Sequence, residues 1–308
     1  MIINGDCLDI IPTLEPVDLI YIDPPFGGNS CDKQFGLHWK SLDDYLDWLK
    51  PRVQQCHDVL KKTGSLYLHC DYHANAYIRV EILDKIFGYN NFRNEIIWLR
   101  KTGSASMNNI ANAHDTIFYY TKSKEYIFNQ QYTSYNDNYI KTTYNKKDKR
   151  GLFRLHDVVA SPSLGGISPR YTYKGYTPET RWLISKDKLK NLDSQGLITW
   201  SSSGRPYRKL YLTDMPGKSL QDTWIDVFNT QGKERLGYPT QKPEKLLERI
   251  IKASSNKGDI VLDPFCGCGT ACVVAQRLGR KYIGIDINEE AIRITKERLK
   301  NESRNKNR

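Results

Sequence analysis

The chain has 308 residues, and Lys and Arg outnumber Asp and Glu by 46 to 35, for a formal net charge of +11. That length buries a sizeable core and fits one large α/β domain with an insertion, or two domains; the charge favours a polyanionic partner such as nucleic acid, with a solubility device or an anionic membrane surface as alternatives. No apolar run approaches the roughly 18 residues of a membrane span, the start MIINGDCLDI lacks a signal-peptide pattern, and seven unframed cysteines point to reduced thiols in a soluble cytoplasmic protein rather than a disulfide scaffold.

At the N-terminus Asn4-Gly5-Asp6-Cys7 precedes a short amphipathic piece through Leu8, Ile10, Ile11 and Leu14. Asp6 reads there as a loop cap or a ligand contact. The apolar run Val17-Asp18-Leu19-Ile20-Tyr21-Ile22 predicts a strand buried in a parallel sheet, which the next two prolines must end. It delivers Asp23-Pro24-Pro25-Phe26 to a strand's carboxyl end, the edge at which open α/β sheets bind ligands. Asp23 can accept a hydrogen bond from an amino group, Pro24 leaves its carbonyl as a second acceptor, and Phe26 offers a face for stacking. Asp and Pro are also common turn residues, so the tetrapeptide alone fits a plain strand-ending turn as well. The stretch from Gly27 to Gly36 suits a segment that closes over a substrate, or an idle loop.

Asp43 to Lys62 carries apolar residues at helical spacing, with Pro51 forcing a kink or a break and Gly64 ending it. Ser65 to Cys70 reads as a buried strand, with Asp71 at the same sheet edge as Asp23. His69 on that strand reads as a satisfied, half-buried imidazole rather than a catalytic one. Ile78, Ile82, Leu83 and Ile86 mark a helix, and Asn94 to Leu99 and Thr116 to Thr121 are further strands around a loop from Thr102 to Ala113. This β–α alternation predicts a doubly wound sheet.

From about 125 to 235 the alternation fades into a basic region rich in Tyr and Asn. Asn138 to Arg150 carries a net +4, and Arg170 to Lys218 has ten Lys or Arg against four Asp or Glu, interleaved with Tyr171, Tyr173, Tyr176, Trp182, Trp200, Tyr207 and Tyr211. Basic side chains contact phosphates, and rings stack on bases or pack into a core. Most of the rings are expected to be structural. Lys146, Lys147, Lys149, Arg150, Arg170, Lys174, Arg205, Arg208 and Lys209 are expected to face nucleic acid.

Regular order returns at Tyr238-Pro239-Thr240-Gln241-Lys242-Pro243, where Pro243 opens a helix with Leu246, Leu247, Ile250 and Ile251 on its apolar face. The strand Asp259 to Leu262 then delivers Asp263-Pro264-Phe265-Cys266-Gly267-Cys268-Gly269-Thr270. A helix begins near Thr270, the strand Lys281 to Ile285 ends in Asp286, and a final helix runs into a basic tail whose residues 303–308 are expected to fray. Strand, glycine turn, helix, strand and acidic residue make a nucleoside-binding unit in which Asp286 is placed to hold ribose hydroxyls. A nicotinamide dinucleotide competes for that unit, but its fingerprint needs a third glycine where Cys272 stands. Asp263 at the strand end suits a cationic ligand such as S-adenosylmethionine better than a pyrophosphate. Cys266, Cys268 and Cys272 have no second pair at zinc spacing, so no metal site is expected.

With the early Asp23-Pro24-Pro25-Phe26, the late Asp263-to-Thr270 turn and the Tyr238-to-Pro243 segment before it, the chain resembles the β group of DNA amino-methyltransferases. The resemblance spans nearly the whole chain and is weakest between about 125 and 235. It implies a circularly permuted Rossmann-like methyltransferase fold, a mixed seven-stranded sheet with helices on both faces. Residues 1–124 would carry the catalytic loop, 125–235 the target recognition region and 236–308 the cofactor-binding half. By the same resemblance S-adenosyl-L-methionine lies against Asp263, Phe265, Gly267, Gly269 and Thr270, with Asp286 on its ribose, Asp6 and Cys7 near its adenine, and Thr240, Gln241 and Lys242 at its methionine end. Asp23, Pro24, Pro25 and Phe26 would serve direct in-line methyl transfer to the exocyclic amine of a base flipped out of double-stranded DNA. In that group a leading Asp usually accompanies adenine N6, which leaves cytosine N4 as the alternative; an enzyme acting on RNA or protein and a non-catalytic DNA-binding module are further ones. A bacterial or phage origin, a homodimer and a separate cognate endonuclease are its remaining implications.

Overall fold

The computed structural model describes residues 1–26, 39–100, 110–164, 166 and 169–306, and the chain forms two compact units, Met1–Gln131 with Gln221–Arg308, and Tyr132–Leu220. The expected closing loop, Gly27 to Gly36, and most of the loop from Thr102 to Ala113 lie outside the described residues.

The first unit begins with a strand that the sequence did not announce, β1 (Ile2–Asn4), and a single helical turn, α1 (Cys7–Ile10). Every position of β2 (Val17–Ile22) is buried, so both faces of the sheet are covered there. Its one charge, Asp18, is fully partnered: Lys61 donates to both carboxylate oxygens at 2.8 Å, and the Ile260 N–H donates at 2.8 Å. Helix α2 (Leu42–Val59) starts at Ser41, whose hydroxyl accepts from the Asp44 N–H, and passes Pro51 without ending. It stops short of the expected Lys62 because β3 (Leu60–Cys70) already begins at Leu60, paired with Val17. The following helix is built of three pieces, α3 (Asn75–Tyr77), a π-helical stretch Ile78–Leu83 and α4 (Asp84–Phe87), and leads to β4 (Phe92–Leu99) and β5 (His114–Thr121).

The second unit contains β6 (Tyr132–Thr133), α5 (Asp137–Thr143), β7 (Lys146–Asp148), β8 (Gly151–Asp157), α6 (Lys186–Ser194), β9 (Ile198–Trp200), β10 (Pro206–Tyr211) and β11 (Lys218–Ser219). Four of these form an antiparallel sheet in the order β7-β8-β10-β9, and β6 pairs with β11. Its core gathers Val158, Val159, Trp182, Leu189, Leu192 and Ile198, with Tyr171, Tyr173, Tyr176 and Trp200 packed against it. Most rings of the basic region are therefore structural; the Tyr171 and Trp182 rings stack with centroids 4.8 Å apart.

The chain re-enters the first unit as β12 (Thr223–Trp224), then α7 (Glu244–Ser254), β13 (Ile260–Asp263), α8 (Thr270–Arg277), β14 (Lys281–Asp286) and α9 (Glu289–Lys306). The sheet order is β1-β14-β13-β2-β3-β5-β4-β12, with only β5 antiparallel to its neighbours. Among the described residues eight strands rather than seven form it, because the short β12 adds parallel to β4 with Trp224 buried and the Trp98 indole donates to the Val227 carbonyl at 2.7 Å. The second unit, Tyr132–Leu220, lies within the 125–235 expected for target recognition. Helix α9 continues through residue 303 instead of fraying there, since Gln276 donates to the Ser303 hydroxyl at 2.6 Å and Arg277 clasps Glu302 at 2.9 Å.

Candidate active site

Strands β1, β14, β13, β2 and β3 run parallel, so their carboxyl ends share one edge, and each passes into an aspartate: Asp6, Asp286, Asp263, Asp23 and Asp71. All five line a cavity of about 400 Å³, a size suited to a small ligand. Pro24, Pro25, Phe26, Cys7, Thr240, Gln241, Lys242, Phe265, Gly267 and Thr270 line it as well, so the sequence-predicted residues converge on one place.

The glycine turn arranges two of the carboxylates. Asp263 is 4% exposed and accepts from the Phe265 N–H at 3.1 Å. Asp286 accepts from the Gly267 N–H at 2.8 Å through one oxygen and from the Asn288 N–H at 2.9 Å through the other. Burial pushes the Asp263 carboxyl well above the usual range, and the neighbouring Asp23 and Asp286 charges add to the rise against the Phe265 N–H and Lys242. Burial also raises Asp286, in spite of its two backbone donors. Such a site favours a ligand that brings positive charge and hydroxyl donors.

Gly269 departs from the expected set. It does not line the cavity; it caps α8 at φ +76°, and a Cβ there would meet Thr295 Cγ2 at 2.3 Å, so its place is the contact with α9. The missing third glycine has a structural answer too. A Cβ on Gly284 of β14 would lie 2.7 Å from Cys272 Sγ and 3.2 Å from Cys266 Cβ, so the helix–strand approach is made possible by a glycine on the strand instead of the helix.

On the opposite side Asp23 pairs with Lys242 through Oδ2, while its buried Oδ1 has no hydrogen-bond partner among the described residues. Lys242 Nζ also lies 5.5 Å from the centre of the Phe26 ring. His69 Nδ1 is 3.5 Å from Asp23 Oδ1. The imidazole, expected to be half-buried, is fully buried and partnered at both nitrogens: Tyr21 Oη at 3.0 Å on Nδ1 and Asp115 Oδ2 at 3.2 Å on Nε2.

Asp6 is both cap and wall. It accepts from the Leu8 N–H at 2.9 Å and from Arg52 at 2.8 Å, and it lines the cavity. Arg52 in turn lies 4.2 Å over the Trp48 ring, and Trp48 packs against Phe265 with centroids 5.8 Å apart. Trp48, Arg52 and Tyr238 line the cavity although sequence reasoning passed over them; the spacing of Trp48 and Arg52, one helical turn apart beside the apolar face of α2, was the available signal. Gln241 is held by the Glu234 carbonyl and the Leu236 N–H, and so fixes the segment that carries Lys242.

Among the described residues no group of His, Cys, Asp or Glu is placed to hold a metal ion. Cys7, Cys56, Cys70, Cys266, Cys268 and Cys272 are buried free thiols, and burial pushes Cys7 up to about 12, which makes it a poor nucleophile.

In the second unit Arg150 pairs with Asp214, Lys174 with Asp193, Arg205 with Asp157 and Lys209 with Asp148. These four of the nine expected cations already hold the unit together. Lys146, Lys147, Lys149 and Arg170 are exposed, and Arg208 is half-buried.

A family model of DNA methylases of the N6/N4 type matches residues 17–297. The chain is 35% identical over 281 residues to Type II methyltransferase M.EcaI of Enterobacter cloacae, an alignment covering 87% of this chain and 61% of that protein. It is 30% identical over 303 residues to DNA adenine methyltransferase YhdJ of Escherichia coli (strain K12), covering 97% and 82%. The chain thus spans less than two thirds of the length of M.EcaI. The structure of TTHA0409 from Thermus thermophilus, a putative DNA modification methylase complexed with S-adenosyl-L-methionine, shares the fold with a TM-score of 0.54 at 17% identity, covering 98% of this chain and 93% of that one.

Proposed function

The chain belongs to the DNA methylase family of the N6/N4 type, whose members use S-adenosyl-L-methionine, and from that premise we propose that it methylates the exocyclic N6 of adenine in duplex DNA. The observation that carries this reading is the buried Oδ1 of Asp23, without a hydrogen-bond partner among the described residues, on a cavity lined by Phe26 and four further aspartates.

The cavity fits the cofactor by the chemistry of its donors. Asp286 would accept the ribose hydroxyls, the raised Asp263 would gain a compensating positive charge, and Phe265 with Trp48 would supply apolar walls. Asp6 and Cys7 would stand near the adenine, and Thr240 and Lys242 at the methionine end. When bound, S-adenosyl-L-methionine supplies an electrophilic methyl group.

The protein's part is positioning. Asp23 and the Pro24 carbonyl hold the two N–H groups of the target amine, which leaves the nitrogen lone pair free for in-line attack. Phe26 stacks on the base, which must leave the duplex to reach a cavity at the sheet edge. No covalent intermediate is required, and the thiols take no part. The exposed cations of the second unit bind phosphates, and residues of that unit read the target sequence.

The experiment is transfer from labelled S-adenosyl-L-methionine to unmethylated bacterial DNA, followed by nucleoside analysis of the digest. N6-methyladenine is the expected product. N4-methylcytosine would keep the mechanism and overturn the choice of base, and cofactor binding without transfer to any DNA would favour a non-catalytic DNA-binding module.

A further inference from the structure

His69 is a buried imidazole whose Nδ1 lies 3.5 Å from Asp23 Oδ1, and nothing in the handling of base or cofactor uses it. Facing it are Tyr21 on β2, Asp23 at the end of the same strand and Asp115 on β5, with the Phe26 and Trp98 rings 5.6 and 5.4 Å from its own. Beyond these stand Arg100, whose Nε is 3.0 Å from Asp115 Oδ1, and Lys242, paired with Asp23. A carboxylate can only accept, so Asp115 holds the imidazole proton on Nε2, and the Nδ1 lone pair accepts from the Tyr21 hydroxyl with Asp23 Oδ1 3.5 Å away. Burial pushes the Tyr21 hydroxyl well above its usual range, so it remains a donor to Nδ1 and not a sink for protons. Burial raises the Asp115 carboxyl, but its hydrogen bond to His69 and the nearby cations outweigh that and hold it below the usual carboxylate range.

We propose that His69 is the proton acceptor behind Asp23, taking through Asp23 Oδ1 the proton that the target amine loses on methylation. The inference rests on the reading of Asp23 as the group that holds that amine. The nitrogen lone pair forms the new bond to the methyl carbon, the carbon–sulfur bond breaks and its electron pair stays on sulfur. The nitrogen, now carrying a positive charge, gives one proton to Asp23. The Tyr21 hydroxyl turns its own proton away, the proton on Asp23 passes to His69 Nδ1, whose N–H the Tyr21 oxygen then accepts, Asp115 balances the imidazolium, and Asp23 is again a carboxylate that can release the neutral product. His69 never touches the base and acts through Asp23 as a positioning residue.

Two variants test this. His69→Gln keeps an amide donor for Asp115 and removes the ionisable site. In Asp115→Asn the amide oxygen stays on the Arg100 Nε–H and the amide N–H turns to Nε2, which moves the proton to Nδ1 and closes it. In both, single-turnover methyl transfer should fall roughly 100-fold, the lower end for a proton-transfer group, with cofactor and DNA affinity unchanged. Without cofactor, ¹⁵N spectra should show the neutral His69 protonated on Nε2 in the wild type and on Nδ1 in Asp115→Asn. A wild-type rate of transfer in His69→Gln, or a wild-type imidazole protonated on Nδ1, overturns the relay and leaves the methyltransferase reading standing. Should a variant fail to fold, the wild-type spectrum decides. If the wild-type protein transfers methyl to no DNA, both readings fall.

Discussion

Five aspartates around one small cavity set the behaviour of this site at the level of single residues. Asp263 and Asp286 are both raised by burial, which means that ionising them without a ligand is costly. A bound cation favours the ionised forms. At a pH below the raised values the ligand must expel protons as it binds, and above them it need not. The affinity for S-adenosyl-L-methionine should therefore climb with pH and then level off, with proton release on the low side. Calorimetry in two buffers of different ionisation enthalpy measures the released protons directly, and an affinity that is flat with pH would place the ligand's charge away from these two carboxylates. Asp23, Asp263 and Asp286 could be read from the sequence because a strand followed by an aspartate and a turn is local grammar. His69 could not be read in the same way. Its partners Tyr21 and Asp115 lie 48 and 46 residues away and meet it only through strand pairing.

At the scale of elements the least foreseeable feature is the contact between α8 and β14. The sequence shows Cys272 where a dinucleotide-binding helix would have a glycine, and this spoke against a nicotinamide cofactor. The fold shows that close packing is kept all the same, with Gly284 across from the Cys272 thiol. Gly284→Ala should cost about 1–3 kcal/mol, the usual range for overpacking a tight site. The same change in a Cys272→Ala background should cost clearly less, because the atom met at 2.7 Å is gone. Denaturant melts of the four proteins give the coupling, and strictly additive effects would mean that the two residues do not share the constraint. Other elements also depart from local expectation for long-range reasons. Pro51 stays inside α2, and β12 exists because a two-residue segment finds the edge of β4. Neither partner can be inferred from the residues next to it.

At the scale of the whole molecule, charge and fold divide along the same line. Residues 132–220 hold sixteen Lys or Arg against seven Asp or Glu, a net +9 out of the chain's +11, which leaves +2 for the unit that carries the cavity. The basic stretch was legible as composition, but its limits were not, since they follow from where the chain rejoins the large sheet. Both junctions are tied to the first unit. The Asn129 N–H donates to the Ala253 carbonyl at 2.7 Å, and the Ile97 N–H donates to the Asp222 carbonyl at 2.8 Å. Between them the chain leaves and returns through the β6–β11 pair, where Tyr132 stands opposite Ser219, so the two ends are only about 5 Å apart, as paired strands are. Replacing 132–220 with a short Gly/Ser linker should thus leave a folded protein that binds S-adenosyl-L-methionine as the full chain does. Its DNA affinity should drop sharply, together with the steep loss of binding in salt that follows from releasing counterions, a slope of about −0.9 per phosphate contact. Titrating both proteins with duplex DNA at several salt concentrations makes the comparison. Equal slopes would move the phosphate contacts to the first unit and leave the charge of the second without a role in binding DNA.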